Sequence, residues 1–139
     1  MQPLDFSKRA PRGPRVMLDG LFMLARTIDK LRATLPGGEL NGYRIEGTSR
    51  RLLGWLGVDE AEMQAAVAAA ASDADVAQWL RARTDASKYP EYNERMENRT
   101  ADDIEDKTYI NATYPFWPTF RSKKMFDIME EDDRRTFAS

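Results

Sequence analysis

Few side chains in this chain can move a proton near neutral pH, because it holds neither histidine nor cysteine. The commonest general base and transition-metal ligand are therefore missing, as are thiolate nucleophiles, disulfides and zinc–thiolate sites. Acid–base chemistry falls to an aspartate, glutamate, lysine or tyrosine whose pKa an enclosed apolar site has moved towards neutrality. The candidates for proton transfer are Lys30, Asp29 and Tyr43. Asp29 and Lys30 lie in the first apolar helical pattern, with Asp29 at the edge of its core face, and Tyr43 follows a turn with its hydroxyl free to point inward. A second set gathers in Tyr89–Asp103, YPEYNERMENRTADD. Pro90 suits the first turn of a helix there. Tyr92, Asn93, Arg95 and Arg99 then offer hydrogen-bonding groups, and the arginine fork suits an acidic ligand. Arg15 in the basic N-terminal segment and Trp117 in a late aromatic segment complete the candidate ligand-binding residues. The competing reading of the same helix is a solvated amphipathic one with intrahelical pairs such as Glu91–Arg95.

Other chemistries find no support in the motifs. Asp102, Asp103, Glu105 and Asp106 lack the EF-hand spacing, and acids in a first helical turn are accounted for by the helix dipole, so no metal is expected. There is no phosphate loop, dinucleotide fingerprint or GxSxG elbow, and no cofactor is expected. The 21 basic and 23 acidic residues leave a net charge of −2, without the electrostatic footprint of a nucleic-acid binder. No apolar run approaches a membrane span and the opening residues lack a signal-peptide core, so the expected address is the cytoplasm.

The elements that must position these residues follow from periodicity. At 139 residues, one domain with one core is expected. Residues 1–16 carry three prolines and no period, and predict an extended arm pinned by Leu4 and Phe6, with Arg12 and Arg15 either solvated or facing a ligand. Leu21, Leu24, Ala25, Ile28, Leu31 and Leu35 predict a helix capped by Asp19 and stopped by Pro36-Gly37-Gly38, with Arg26, Asp29 and Lys30 spaced to pair along it. Asn41-Gly42 predicts a short β-hairpin over residues 39–46. Thr48 or Ser49 should cap a helix that ends at Gly57. Asp59 with Glu62, Ser72 with Asp75 and Thr100 with Asp103 resemble capping boxes, each opening a further helix. Tyr114–Phe120 breaks the pattern as an aromatic lid, pocket wall or interface, and Ser122 opens a last helix before the charged run EEDDRR, which reads as solvent-exposed. The expected fold is all-α, about six helices with one small hairpin.

The opening PLDFSKRAPRGPRVMLDGLFMLARTIDKLRA, the segment LLGWLGVDEAEM, and YNERMENRTADD followed by FDIMEEDD together resemble the bacterial domain-of-unknown-function 5069 family. The resemblance implies a compact, mainly helical bacterial protein and carries no activity to any residue. The chain departs from the usual pattern of that family between Tyr43 and Thr48 and in YPFWPTF, which would suit a specialised pocket.

Two functions are thus expected to compete. One is a pocket for a small anionic or aromatic metabolite, with cofactor-independent lyase or isomerase chemistry. There Tyr43, Lys30 or Asp29 would move the proton, and Arg15, Asn93 and Arg95 would hold an anionic group. The other is an interaction module that docks a protein or a second copy of itself through the aromatic segment 114–120 and the basic arm. Polar groups converging on an enclosed cavity favour the first; a flat exposed patch of Phe116, Trp117 and Phe120 favours the second.

Overall fold

A computed structural model describes residues 1–138. Among them are seven α-helices: α1 Leu24–Ala33, α2 Thr48–Leu56, α3 Glu60–Ala69, α4 Asp73–Arg81, α5 Tyr89–Asn98, α6 Lys107–Thr113 and α7 Met125–Thr136. Single 3₁₀ turns at Ala86–Lys88, Ala101–Asp103 and Trp117–Thr119 link the later helices. The fold is mainly helical, as expected, with one helix more than the sequence pattern suggests.

Helix α1 is central. Every residue in it except Arg32 is buried, because α1 packs against α2 and α3, while the arm and α7 supply partners to its polar side chains. Helix α5 packs on α2 and α7, and α3 on α4. One contiguous hydrophobic cluster runs from Leu21 to Met129 and takes residues from all seven helices. Removing its apolar side chains from water is favourable and is the main source of stability.

The expected start of α1 is corrected. Asp19 does not cap a helix; Asp19 and Gly20 (φ 51° and 79°) form a tight turn whose flanking residues Leu18 and Leu21 exchange both backbone hydrogen bonds. Asp-Gly suits such a turn because both residues tolerate positive φ. The helix begins only after Met23, itself left-handed at φ 67°. Thr48 and Ser49 are the first residues of α2, and Gly47 is its cap. The caps at Asp59 and Ser72 form as expected, accepting from the backbone N–H of Glu62 and Asp75, and Gly57 ends α2 in the left-handed region. Thr100 and Asp103 make the capping box, but it closes a single 3₁₀ turn; α6 starts later, capped by Asp106.

The hairpin over residues 39–46 is also corrected. Asn41 and Gly42 do adopt positive φ, and Tyr43 N–H donates to Leu40 O at 2.9 Å. No ladder follows the turn among the described residues. Glu39 pairs instead with the arm, where Phe6 N–H donates to Glu39 O and Glu39 N–H to Leu4 O, and residues 43–46 run straight into the Gly47 cap. The N-terminal arm is accordingly a strap tied to the body, with Phe6 fully buried.

Candidate functional site

Three charged residues of α1 are buried, and each faces a different partner. Arg26 forms a two-pronged ion pair with Asp133 of α7 at 2.7 and 3.0 Å. Asp29 accepts the Arg12 backbone N–H at 2.8 Å and its guanidinium at 2.9 Å, and Arg12 bridges on to Asp73 of α4. Lys30 is the exception. Among the described residues its Nζ makes one hydrogen bond, to the Arg44 carbonyl oxygen at 2.7 Å, and no ion pair. These three groups therefore do not pair with one another along α1, as their spacing suggests.

Lys30 lies on a cavity of about 180 Å³ between α1, the Asn41–Arg44 turn, the end of α6 and α7. At about 30 Å³ per water it has room on the order of six waters, or a compound of similar size. Tyr43, Tyr109, Tyr114, Asp132 and Thr136 line it with Lys30, and Arg44 stands at its edge. Burial of Lys30, with repulsion from Arg26, pulls its amine down from 10.5 to about 7. Burial and the neighbouring Asp133 push the Asp132 carboxyl up to about 6. Burial raises the Tyr43 and Tyr114 hydroxyls well above their ordinary range, so both stay protonated. Tyr43 donates to Asp133 Oδ1 at 3.0 Å; among the described residues the Tyr114 hydroxyl has no such partner. The cavity thus holds an amine and a carboxyl that both titrate near neutrality, beside a free phenol donor.

Of the candidate proton-transfer residues, Lys30 and Tyr43 meet here and Asp29 does not, being held by Arg12. The candidate ligand-binding residues disperse. Arg15 is held by Glu97 and Asp127, each at 3.0 Å, and by Glu130. Asn93 accepts from Phe22 N–H and donates to Gly20 O, which fixes the Asp19-Gly20 turn to α5. Tyr92 donates to Trp55 O and stacks on that indole. Arg95 is exposed and paired with Glu91 at 2.8 Å, as in the amphipathic-helix reading. The Arg99 guanidinium makes no hydrogen bond among the described residues and lies away from the Lys30 cavity. Trp117 donates to Asn111 Oδ1 at 2.7 Å, with Lys107 and Lys123 over its ring. Phe116, Trp117 and Phe120 are partly buried against the core, and Arg135 and Arg121 cover Phe116 and Phe120.

Asp132 and Tyr114 were not among the candidates. The run EEDDRR reads as a solvated tail, yet Asp132, Asp133 and Thr136 stand three, four and seven residues after buried Met129. That spacing puts them on the helix face that carries Met129.

Fold and cavity define a small, mainly helical protein with a polar pocket built around a buried lysine. The chain belongs to the family described as domain of unknown function (DUF5069), whose model matches residues 8–135. No curated protein matches it. Among the described residues no helix is long and apolar enough to cross a membrane.

Proposed function

We propose that this bacterial, cytoplasmic protein binds a small anionic carbonyl compound in the Lys30 cavity and acts on it as a cofactor-independent lyase or isomerase. The observation that carries this is a buried lysine facing an open cavity without a carboxylate partner, which keeps a large fraction of its amine neutral near pH 7. A desolvated lysine is a nucleophile towards carbonyl carbon. The Nζ lone pair forms a C–N bond, the carbonyl oxygen takes up a proton, and loss of water leaves an iminium that draws electrons from the neighbouring carbon. Either a proton or a carbon substituent can then leave that carbon, giving isomerase or lyase chemistry. Asp132 is suited to carry the proton, and the Tyr114 hydroxyl to hold the substrate oxygen. Arg44 at the edge has its guanidinium over the Tyr109 ring and no ion pair among the described residues, so it is available to an anionic group. Phe116, Trp117 and Phe120 are packed against the core rather than forming a flat exposed patch, which does not favour a docking surface there.

Reductive trapping tests this. Protein treated with pyruvate or glyoxylate and cyanoborohydride should gain one reduced adduct, mapped to Lys30 by peptide mass analysis. Labelling should rise as pH is raised through about 7, where the amine loses its proton. Adducts spread over exposed lysines, and equal in Lys30→Met, would reject amine chemistry here.

A further inference from the structure

Most of the arginines that are not exposed have partners: Arg32 donates to the Gln2 carbonyl oxygen, and three others are neutralised by carboxylates. Arg12 has Asp29 and Asp73, Arg15 has Glu97 and Asp127, and Arg26 has Asp133. Arg99 breaks the pattern. Its backbone is clamped, since its carbonyl accepts from Met125 N–H at 2.9 Å and the next residue pairs with the chain before α7. Its guanidinium makes no hydrogen bond among the described residues, and Nη1 is buried without a partner. The nearest acid does not serve it: Asp103 Oδ2 accepts the Thr100 N–H at 2.9 Å and the Thr100 hydroxyl at 3.1 Å. Arg51 of α2 is likewise unpaired, and its charge helps burial to depress the Arg99 pKa. Two like charges have thus been brought together beside a single carboxylate, Asp103, that lines both of their cavities and hydrogen-bonds to neither. Such an arrangement costs free energy unless something else supplies the charge.

Both arginines line a cavity of about 550 Å³ with Gly47, Asp103 and Tyr109, and both also line an adjoining cleft of about 260 Å³ with Trp55, Arg95, Asn98 and again Asp103. We propose that Arg51 and Arg99 form a second binding site, separate from the Lys30 cavity, for a compact doubly charged oxyanion: inorganic phosphate or the phosphate of a phosphomonoester. Two planar forks, one from α2 and one from the extended residue that follows α5, match the several oxygens of a tetrahedral dianion, each able to donate two hydrogen bonds. Glu46, Glu105 and Asp106 also line the larger cavity and are exposed; they oppose an anion there, so only a compact one held at the arginine end, away from them, is accommodated.

Calorimetric titration at low salt with inorganic phosphate, and in parallel with glycerol phosphate, tests the site. Saturable binding is expected, weakened about tenfold or more in Arg51→Gln and in Arg99→Gln. Because Arg51 is exposed, its substitution leaves the fold intact and keeps the test valid if Arg99→Gln proves unstable. Lys30→Met, at the other cavity, should bind like wild type. Tighter binding of glycerol phosphate than of phosphate identifies a phosphomonoester site, and the reverse a free-phosphate site. Absence of saturable binding of either, or binding undiminished in Arg51→Gln, overturns the proposal.

Discussion

Asp133→Ala is expected to lower the free energy of unfolding by about 3–5 kcal/mol, a substantial share of the stability of a chain this size. The reason is what the substitution leaves behind. Arg26 is 1% exposed, and its Nε is already buried without a partner. Burial pulls its pKa down, and the hydrogen bonds and charge of Asp133 more than offset this, so Asp133 is what compensates a guanidinium that stays charged in the core. Removing the carboxylate strands a buried cation and deprives the Tyr43 hydroxyl of its acceptor. The ion pair itself contributes far less than its loss costs, since an apolar pair of similar volume avoids desolvating two charges. The double variant Arg26→Met/Asp133→Leu should therefore recover most of the loss. Urea denaturation of the three proteins measures both effects. A loss under about 1 kcal/mol in Asp133→Ala would mean that water reaches Arg26 in solution.

Lys30→Met is expected to act in the opposite direction. In the folded protein the amine titrates at about 7 rather than 10.5, because burial disfavours its charge and Arg26 repels it. Between those two pH values the unfolded chain binds a proton that the folded chain does not. Wild-type stability therefore rises with pH across that window, and the full cost of charging Lys30 is present below about 7. Methionine carries no such cost. At pH 6 the variant should be more stable by roughly 2–4 kcal/mol, after allowing for the lost bond to the Arg44 carbonyl. The gap should close as pH approaches 10. Reductive trapping should be lost in the same variant, so that one substitution stabilises the fold and removes its chemistry. This opposition is expected where a site keeps a group that the fold would be more stable without.

Much of the helical frame was legible from local rules. The caps at Asp59 and Ser72, the Gly57 stop and the Pro90 start follow from backbone groups that only nearby residues can satisfy. Lys30 and Tyr43 stood out because little else could do acid–base work without histidine or cysteine. What stayed hidden was decided by partners distant in sequence. Asn41-Gly42 makes its turn, but the strand it offers is taken by the arm rather than by residues 43–46. Asp19 looks like a cap until the turn it shares with Gly20 is seen to be held by Asn93, more than seventy residues on. Arg15 and Asn93 have the right chemistry for an anion, but glutamates, an aspartate and backbone groups elsewhere in the fold occupy them, whereas Arg95 is held by Glu91 of its own helix, the local pair the sequence already offered. Asp132 and Asp133 sat in a charge run whose helical phase, read from Met129, turns two of its acids inward.

The account stands or falls on the ionisation of Lys30. Heteronuclear NMR titration of the lysine side chains, with Lys30 assigned by comparison with Lys30→Met, measures it without reference to any substrate. A midpoint near 7 for Lys30 is the predicted result. A Lys30 that titrates near 10.5 would mean a solvated or ion-paired ammonium, and the cavity would then have no nucleophile to offer.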